Sequence, residues 1–304
     1  MDKKRYGEGL LMSTGAFVIW GLLPLYWKWV SAITPYEIFA QRVVWSLFFV
    51  LILMRNKERL QNFIHMVKQP RHLLKTIAPA IFISFNWLTY IWGVNNGYVL
   101  EASLGYYINP LVLTLFGRIF FKEHLTRDQK IGISFAMIGV VYKTATYGRV
   151  PYVALILAFS FAIYGLLKKK STFTSLTGLG IETLLIGVPA LITLLYYESQ
   201  GMGIIGNLPS YYWLRIMLSG VLTATPLLLY SEGTKRLPLS IIGFLQYIAP
   251  TISLFLGIFI FKEAFNFSSL IAFIFIWIGL AIFTREQVIL FRKQKKVVSE
   301  RFVS

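Results

Sequence analysis

The chain has 304 residues, of which 56 % are hydrophobic and 14 % charged, with a net charge of +17 and no cysteine. A water-soluble domain carries about 25 % charged residues, so this composition excludes a soluble globule, and the missing cysteine excludes disulfides, thiol catalysis and cysteine-based metal sites. The positive charge is not a nucleic-acid footprint, because Lys and Arg gather in the short segments between long apolar blocks.

The first block, Leu10–Val30, carries a single charge, Lys28. It follows a basic start, but it is long and no small-residue cleavage site comes after it, so it reads as a retained helix rather than a signal peptide. Crossing a hydrocarbon core takes roughly 20 helical residues. Ten such spans are expected: Leu10–Val30, Ile38–Met54, Thr76–Asn95, Ala102–Phe121, Ile131–Thr146, Pro151–Leu167, Phe173–Tyr197, Trp213–Glu232, Leu239–Phe261 and Ser268–Thr284. Fold class follows: an all-α integral membrane protein of ten transmembrane helices joined by short links.

Most of the chain's 30 Lys and Arg residues lie in segments 1–9, 55–75, 122–130, 168–172, 234–237 and 285–304. These alternate along the chain and mark one side. The asymmetry predicts both termini in the cytoplasm and an even number of spans. The basic, partly apolar segment Arg55–Lys75 is expected to lie along the membrane surface.

A shift of 140 residues brings the chain onto itself. Tyr107-Ile108-Asn109-Pro110 meets Tyr247-Ile248-Ala249-Pro250, Gly117 meets Gly257, and Phe121-Lys122-Glu123 meets Phe261-Lys262-Glu263. Tyr90 meets Tyr230, and Trp20-Gly21 resembles Tyr164-Gly165 at a slightly different offset. The chain therefore divides into two halves, 1–148 and 149–304, of five spans each. Five is odd, so the halves are expected to be inverted around a central cavity, the geometry of alternating access.

With these residues in view the chain resembles EamA-type members of the drug/metabolite transporter superfamily, and within it the RarD branch, named for chloramphenicol sensitivity. The matching stretches are Trp20–Lys28, Arg42–Ser46, Glu101–Leu111, Tyr164–Lys169, Glu182-Thr183, Thr223–Leu227 and Leu245–Thr251, within a resemblance over about residues 7–285. The resemblance implies a ten-helix fold and transport of small metabolites or drugs, often outward. Gln41 stands where the resemblance leads one to expect His, which speaks against proton handling at that position.

Charge inside a bilayer is costly, roughly 2.5–3.5 kcal/mol for a central Asp, Lys or Arg on insertion scales. Glu182 and Arg42 fall within spans, so both should face the bundle interior. Glu182 is a candidate to bind a proton or a cationic group. Arg42 is a candidate to bind an anionic group or to pair with Glu182; a purely structural ion pair is the alternative. Asn86, Trp87 and Tyr90 in the third span, Tyr106 and Asn109 in the fourth, Tyr164 in the sixth, and Gln246 and Tyr247 in the ninth are candidates to line a wet cavity, or else to pack helices together. Pro110 and Pro250 remove backbone donors in mid-helix and are candidate hinges. Lys122-Glu123 and Lys262-Glu263 end their spans as interfacial anchors. The partners expected are a small-molecule substrate, a coupling proton or other ion, and the bilayer of a bacterial inner membrane.

No HExxH, GxSxG or Walker lysine motif is present, and no cofactor is called for. A membrane-embedded enzyme would need a catalytic cluster near one interface. A structural or assembly protein without transport activity would need neither Glu182 and Arg42 nor paired halves. A transporter is expected to bring Glu182 and Gln246 into one polar pocket.

Overall fold

The computed structural model describes residues 3–96, 98–148, 150–205, 207–262 and 267–301. Its regular structure is helical throughout: α1 (Lys3–Trp29), α2 (Pro35–Leu53), α3 (Lys57–Val67), α4 (Pro70–Asn95), α5 (Val99–Phe121), α6 (Arg127–Tyr147), α7 (Tyr152–Lys170), α8 (Ser175–Ser199), α9 (Tyr211–Arg236), α10 (Leu239–Gln246), α11 (Ile248–Phe255) with a π-helical turn Leu256–Ile260, and α12 (Phe267–Arg301). Glu263, the last residue of the second Phe-Lys-Glu motif, lies outside the described residues.

The helix starts follow from local chemistry. The first N–H groups of a helix have no partner within it, and a hydroxyl or amide just before the helix supplies one. Thr34 accepts from the Glu37 N–H ahead of Pro35, and Thr174 accepts from the Thr177 N–H. Thr126 and Gln129 cap each other's backbone reciprocally. Lys122 ends α5 in the left-handed region at φ 51°, and Lys262, its counterpart in the repeat, does the same at φ 54°.

Short links make successive long helices antiparallel. We call the end carrying links 30–34, 96–98 and 200–210 the upper end. The opposite, lower end carries links 54–56, 122–126 and 171–174 and the N-terminus of α1. α1 packs on α9 and α11, α2 on α8 and α9, α4 on α7 and α8, α5 on α7 and α10, and α6 on α12. α3 is the amphipathic piece of the 55–75 segment. It buries Phe63 against Gly180 of α8.

Among the described residues, seven helical stretches are long and apolar enough to cross a bilayer: Lys4–Trp29, Pro35–Leu53, Glu101–Phe121, Tyr152–Lys170, Ser175–Ser199, Tyr211–Arg236 and Leu239–Ile260. The other three expected spans form helices α4, α6 and α12 but carry more polar residues, such as Arg71, His72 and Lys75 at the start of α4. Large apolar side chains face outward on many helices, among them Phe48, Ile81, Ile119, Ile192, Leu214 and Phe259. Soluble monomers rarely expose apolar surface so extensively.

One expected span differs. Leu239–Phe261 is not a single helix but breaks at Tyr247 and loosens into the π-turn. Pro250 has no N–H for the Gln246 carbonyl four residues back, and its ring crowds that carbonyl. α10 ends at Gln246, the residue whose carbonyl loses that donor, whereas α5 runs on through Pro110.

The α6–α12 crossing depends on two glycines. A Cβ on Gly279 would sit 2.4 Å from the Gly132 carbonyl oxygen, and one on Gly132 would sit 2.8 Å from that of Gly279. Backbone cannot step aside as a side-chain tip can. Gly279→Leu is expected to lower stability by about 1–3 kcal/mol, seen as a reduced thermal midpoint in detergent. Gly7→Ala, with open space around it, should leave the midpoint unchanged or raise it.

Candidate functional site

Arg42 lies seven residues into α2 from its upper end, about 10 Å deep at 1.5 Å per residue. Its guanidinium sits 4.0 Å from the Trp87 ring centroid of α4 and 5.6 Å from the Trp27 ring of α1. Tyr26, Tyr90 and Tyr106 are its electrostatic neighbours. The Tyr90 and Tyr106 rings meet edge to face at 6.0 Å. Trp87, Tyr90 and Tyr106 lie between five and eight residues from the upper ends of their helices. Four helices thus deliver these side chains to one depth. Tyr90 and Tyr106 keep 40 % and 48 % of their surface accessible although they surround a guanidinium in the body of the bundle. We read that accessible surface as lining an upper cavity, open toward this end of the bundle.

Trp87 also lines a smaller space. A cavity of about 10 Å³ lies between α2, α4, α8 and α9, walled by Trp87, Glu182, Thr183, Ser46 and apolar neighbours. That is room for about one water. Trp87 is therefore the partition between the open upper cavity and this small space.

Glu182 and Lys168 form a buried ion pair, each only 2 % exposed, with Nζ donating to Oε1 at 2.8 Å. The Tyr164 hydroxyl donates to Oε2 at 3.2 Å. Tyr164 itself is fully buried and stacks on Tyr230 with ring planes 9° apart. Trp20 and Phe161 complete that packed aromatic cluster.

The lower end is tied by polar contacts between helices. Glu123, just past α5, accepts from the Leu239 N–H at 2.7 Å and from the N–H and hydroxyl of Ser240 at 3.0 and 2.8 Å. It thereby caps α10. A Cβ on Gly117 would lie 2.5 Å from the Glu123 carboxylate, so the bare Gly117 is what lets that carboxylate fold back. Lys169 donates to the Leu237 and Thr234 carbonyls, and Lys235 to the Phe173 carbonyl and the Ser175 hydroxyl. Cations on the last carbonyls of a helix are favourable.

The structure sorts the sequence candidates into three groups. Arg42, Trp87, Tyr90 and Tyr106 converge on the upper cavity. Glu182 and Tyr164 form the buried polar cluster with Lys168. The others tie helices together. Asn86 donates to the Leu157 carbonyl and the Ser160 hydroxyl, both at 2.9 Å, and Asn109 donates to the Ala158 carbonyl, so both grip α7. Tyr247 donates to the Tyr107 carbonyl at 3.0 Å. Gln246 is buried at the end of α10 and has no part in the Glu182 cavity, contrary to the expectation of a shared pocket. Pro110 lies inside a continuous α5, its carbonyl bonded by the Thr114 hydroxyl and approached closely by Gly243, whereas Pro250 follows a break.

Two corrections follow. The partner of Glu182 is Lys168, not Arg42. In sequence, Lys168 reads with Lys169 and Lys170 as a basic link, because three lysines in a row look like a topology signal. The last turn of α7 instead carries Lys168 inward. The available signal was its spacing, four residues after Tyr164 and thus on the same helix face. Glu123 is more than an interfacial anchor, since it caps a helix of the other half. Glu101, also missed, accepts from the Val153 N–H at 2.9 Å at the start of α7.

Removing one member of a buried pair strands the other, at a cost of about 3–5 kcal/mol. Lys168→Met should lower the thermal midpoint by several degrees in detergent. Adding Glu182→Leu should recover most of the loss, since the stranded charge is gone. Equal loss in the double variant would show that Lys168 matters for packing rather than charge.

A family model described as the EamA-like transporter family matches this chain twice, over residues 7–144 and 150–285. An uncharacterized transporter of Bacillus subtilis, YojE, is 45 % identical over 284 residues, covering 92 % of this chain and 95 % of its own. Protein RarD of Escherichia coli is 37 % identical over 296 residues, covering 97 % of this chain and all of its own. A chloramphenicol-sensitive protein RarD of Pseudomonas aeruginosa is 26 % identical over 294 residues, covering 95 % of this chain and 98 % of its own. A solved crystal structure shares the fold at a TM-score of 0.66 and 19 % identity, over 92 % of this chain and 98 % of that one. The chain is a multi-pass membrane transporter of the EamA-like family, in its RarD branch.

Proposed function

We propose that this protein is a secondary transporter working by alternating access, carrying small metabolites or drugs outward across the bacterial inner membrane. In this reading ten helices span: α1, α2, α4, α5, α6, α7, α8, α9, the α10–α11 run and α12. They form two inverted halves, 1–148 and 149–304, around a central cavity. The helix pairings support it. Exchanging α1 with α7, α2 with α8, α4 with α9, and α5 with α10–α11 turns the α1–α9 pairing into α7–α4, α1–α11 into α7–α5, and α2–α9 into α8–α4, all of which occur. The left-handed Lys122 and Lys262 agree with the same exchange.

The observation that carries the proposal is the contrast between the two ends. At the upper end Tyr90 and Tyr106 stay accessible beside a half-buried Arg42. The lower end is tied by Glu123, Lys169 and Lys235. A carrier that exposes its site to one side at a time needs such an asymmetry, and an inverted partner arrangement needs the reverse. Lower-end Lys and Arg support a cytoplasmic lower face with both termini there, so the cavity opens outward here. The break at Tyr247 and the π-turn mark Leu239–Ile260 as the more deformable of the two proline helices, and we assign the principal hinge to Pro250, with Pro110 its stiffer counterpart. Glu182, beneath Trp87 and beside Lys168, is placed to couple an ion to the change.

The missing cysteines make the test direct, because a single introduced thiol has no background. Tyr106→Cys in right-side-out vesicles should react with a membrane-impermeant thiol reagent from outside and react more slowly when a transported compound cycles the carrier. Counterflow in liposomes, with chloramphenicol, aromatic acids and amines as labelled probes, should show accumulation of at least one. Constant reactivity under all conditions with no accumulation of any probe would instead support a static assembly protein.

A further inference from the structure

We propose that the upper cavity takes a small organic anion with a planar, aromatic body: its carboxylate on Arg42 and its ring among Trp27, Trp87, Tyr90 and Tyr106. This rests on the transporter reading and names the substrate class for that same cavity.

Arg42 differs from the other inward cations in what surrounds it. Lys168 has Glu182, and Arg236 has Glu232 and Glu8. Lys169 and Lys235 have carbonyls, and Arg215 donates to the Trp29 carbonyl at 3.3 Å. Arg42 has no ion-pair or hydrogen-bond acceptor among the described residues. Its Nε is buried without a hydrogen bond. Every group that acts on it electrostatically is a tyrosine, neutral at physiological pH. The charge is held only by the π-faces of Trp87 and Trp27, which offset part of its desolvation. A cation kept inside a membrane protein without a counter-ion, and reachable from solvent, is a site that lacks its anion.

Shape narrows the class. A guanidinium stacked on Trp87 keeps its fork edge free, and that edge fits a carboxylate bidentately. The Tyr90 and Tyr106 hydroxyls make no hydrogen bond to the described residues and are accessible, so they can donate to the same anion. The remaining walls are aromatic faces and edges, suited to a flat ring rather than a polar body. The sign of the site is settled by the other embedded charge. Glu182, which lines the small space on the other side of Trp87, is neutralised by Lys168. An amine entering the cavity meets Arg42, whose electrostatic neighbours are tyrosines and no described carboxylate.

The test uses compounds that share a ring and differ in charge. Indole-3-acetate, indole-3-acetamide, tryptamine and acetate are compared by thermal stabilisation of the purified full-length protein and, separately, by counterflow in liposomes. Indole-3-acetate should raise the midpoint, the amide should bind weaker by on the order of tenfold or more, and tryptamine should not bind. Arg42→Gln should abolish the shift, and Arg42→Lys should weaken it because the fork is lost. Without ligand, Arg42→Gln should melt at or above the wild-type midpoint, since an unpaired charge has been removed; a structural arginine would give a lower midpoint. Amide or tryptamine binding as tight as the acid, no binding of indole-3-acetate, or acid binding untouched by Arg42→Gln would overturn the proposal. Acetate binding as tightly as indole-3-acetate would overturn its aromatic half. The two readings fail separately. Accumulation of tryptamine unaffected by Arg42→Gln sinks the anion and keeps the transporter, while acid binding with no accumulation supports the site and sinks the transporter.

Discussion

A charge or a free N–H carried into an apolar interior must find a partner there, because no water is at hand to serve. The arrangement of this bundle can be followed from that requirement. Helices satisfy their own backbones except at their ends, and two glutamates flanking α5 complete the ends that are buried. Glu101 meets the start of α7 at the upper end, and Glu123 meets the start of α10 at the lower end. Both link α5 to helices of the second half. The same requirement places Asn86 and Asn109 on α7 carbonyls and Lys168 on Glu182. Asn86 and Asn109 are thus polar for the sake of packing.

Against that background the groups left without partners carry the functional information. Arg42 is the clearest, since its neighbours are aromatic rings and open space. Trp87 then has two duties. It shields the guanidinium on one face and closes the roof of the small Glu182 cavity on the other. A side chain in that position separates a solvent-reached space from a sealed one. Any movement of α4 relative to α2 and α8 would change both spaces together.

The two proline-containing helices that pack together differ in continuity. α5 runs unbroken through Pro110, with the Thr114 hydroxyl serving its carbonyl, whereas the helix of Pro250 is broken at Tyr247 and again by the π-turn. Gly243 lets α10 approach the Pro110 carbonyl closely. A stiff helix packed against a segmented one gives a pair in which one member yields first. Such inequality is expected where only one of two related conformations is the more stable at rest.

The sequence by itself determined the class of the molecule, the place of its helices and its division into two similar stretches. Those properties reside in composition, block length and an offset of 140 residues, all of which are local or periodic. It also singled out Arg42, Glu182, Trp87, Tyr90 and Tyr106, because polar and aromatic residues in apolar helices stand out one by one. Only the tertiary structure decided who meets whom. It gave Glu182 to Lys168 rather than Arg42, since the last turn of α7 points its first lysine inward while the next two face the lower end. It took Asn86, Asn109 and Tyr247 for helix contacts, since carbonyls of neighbouring helices lie within their reach. It turned Glu123 from an anchor into a cap, since the start of α10 lies 116 residues further along the chain yet beside it in space. Pairing across such distances depends on helix packing angles and close approach at glycine, which no spacing along one chain can specify.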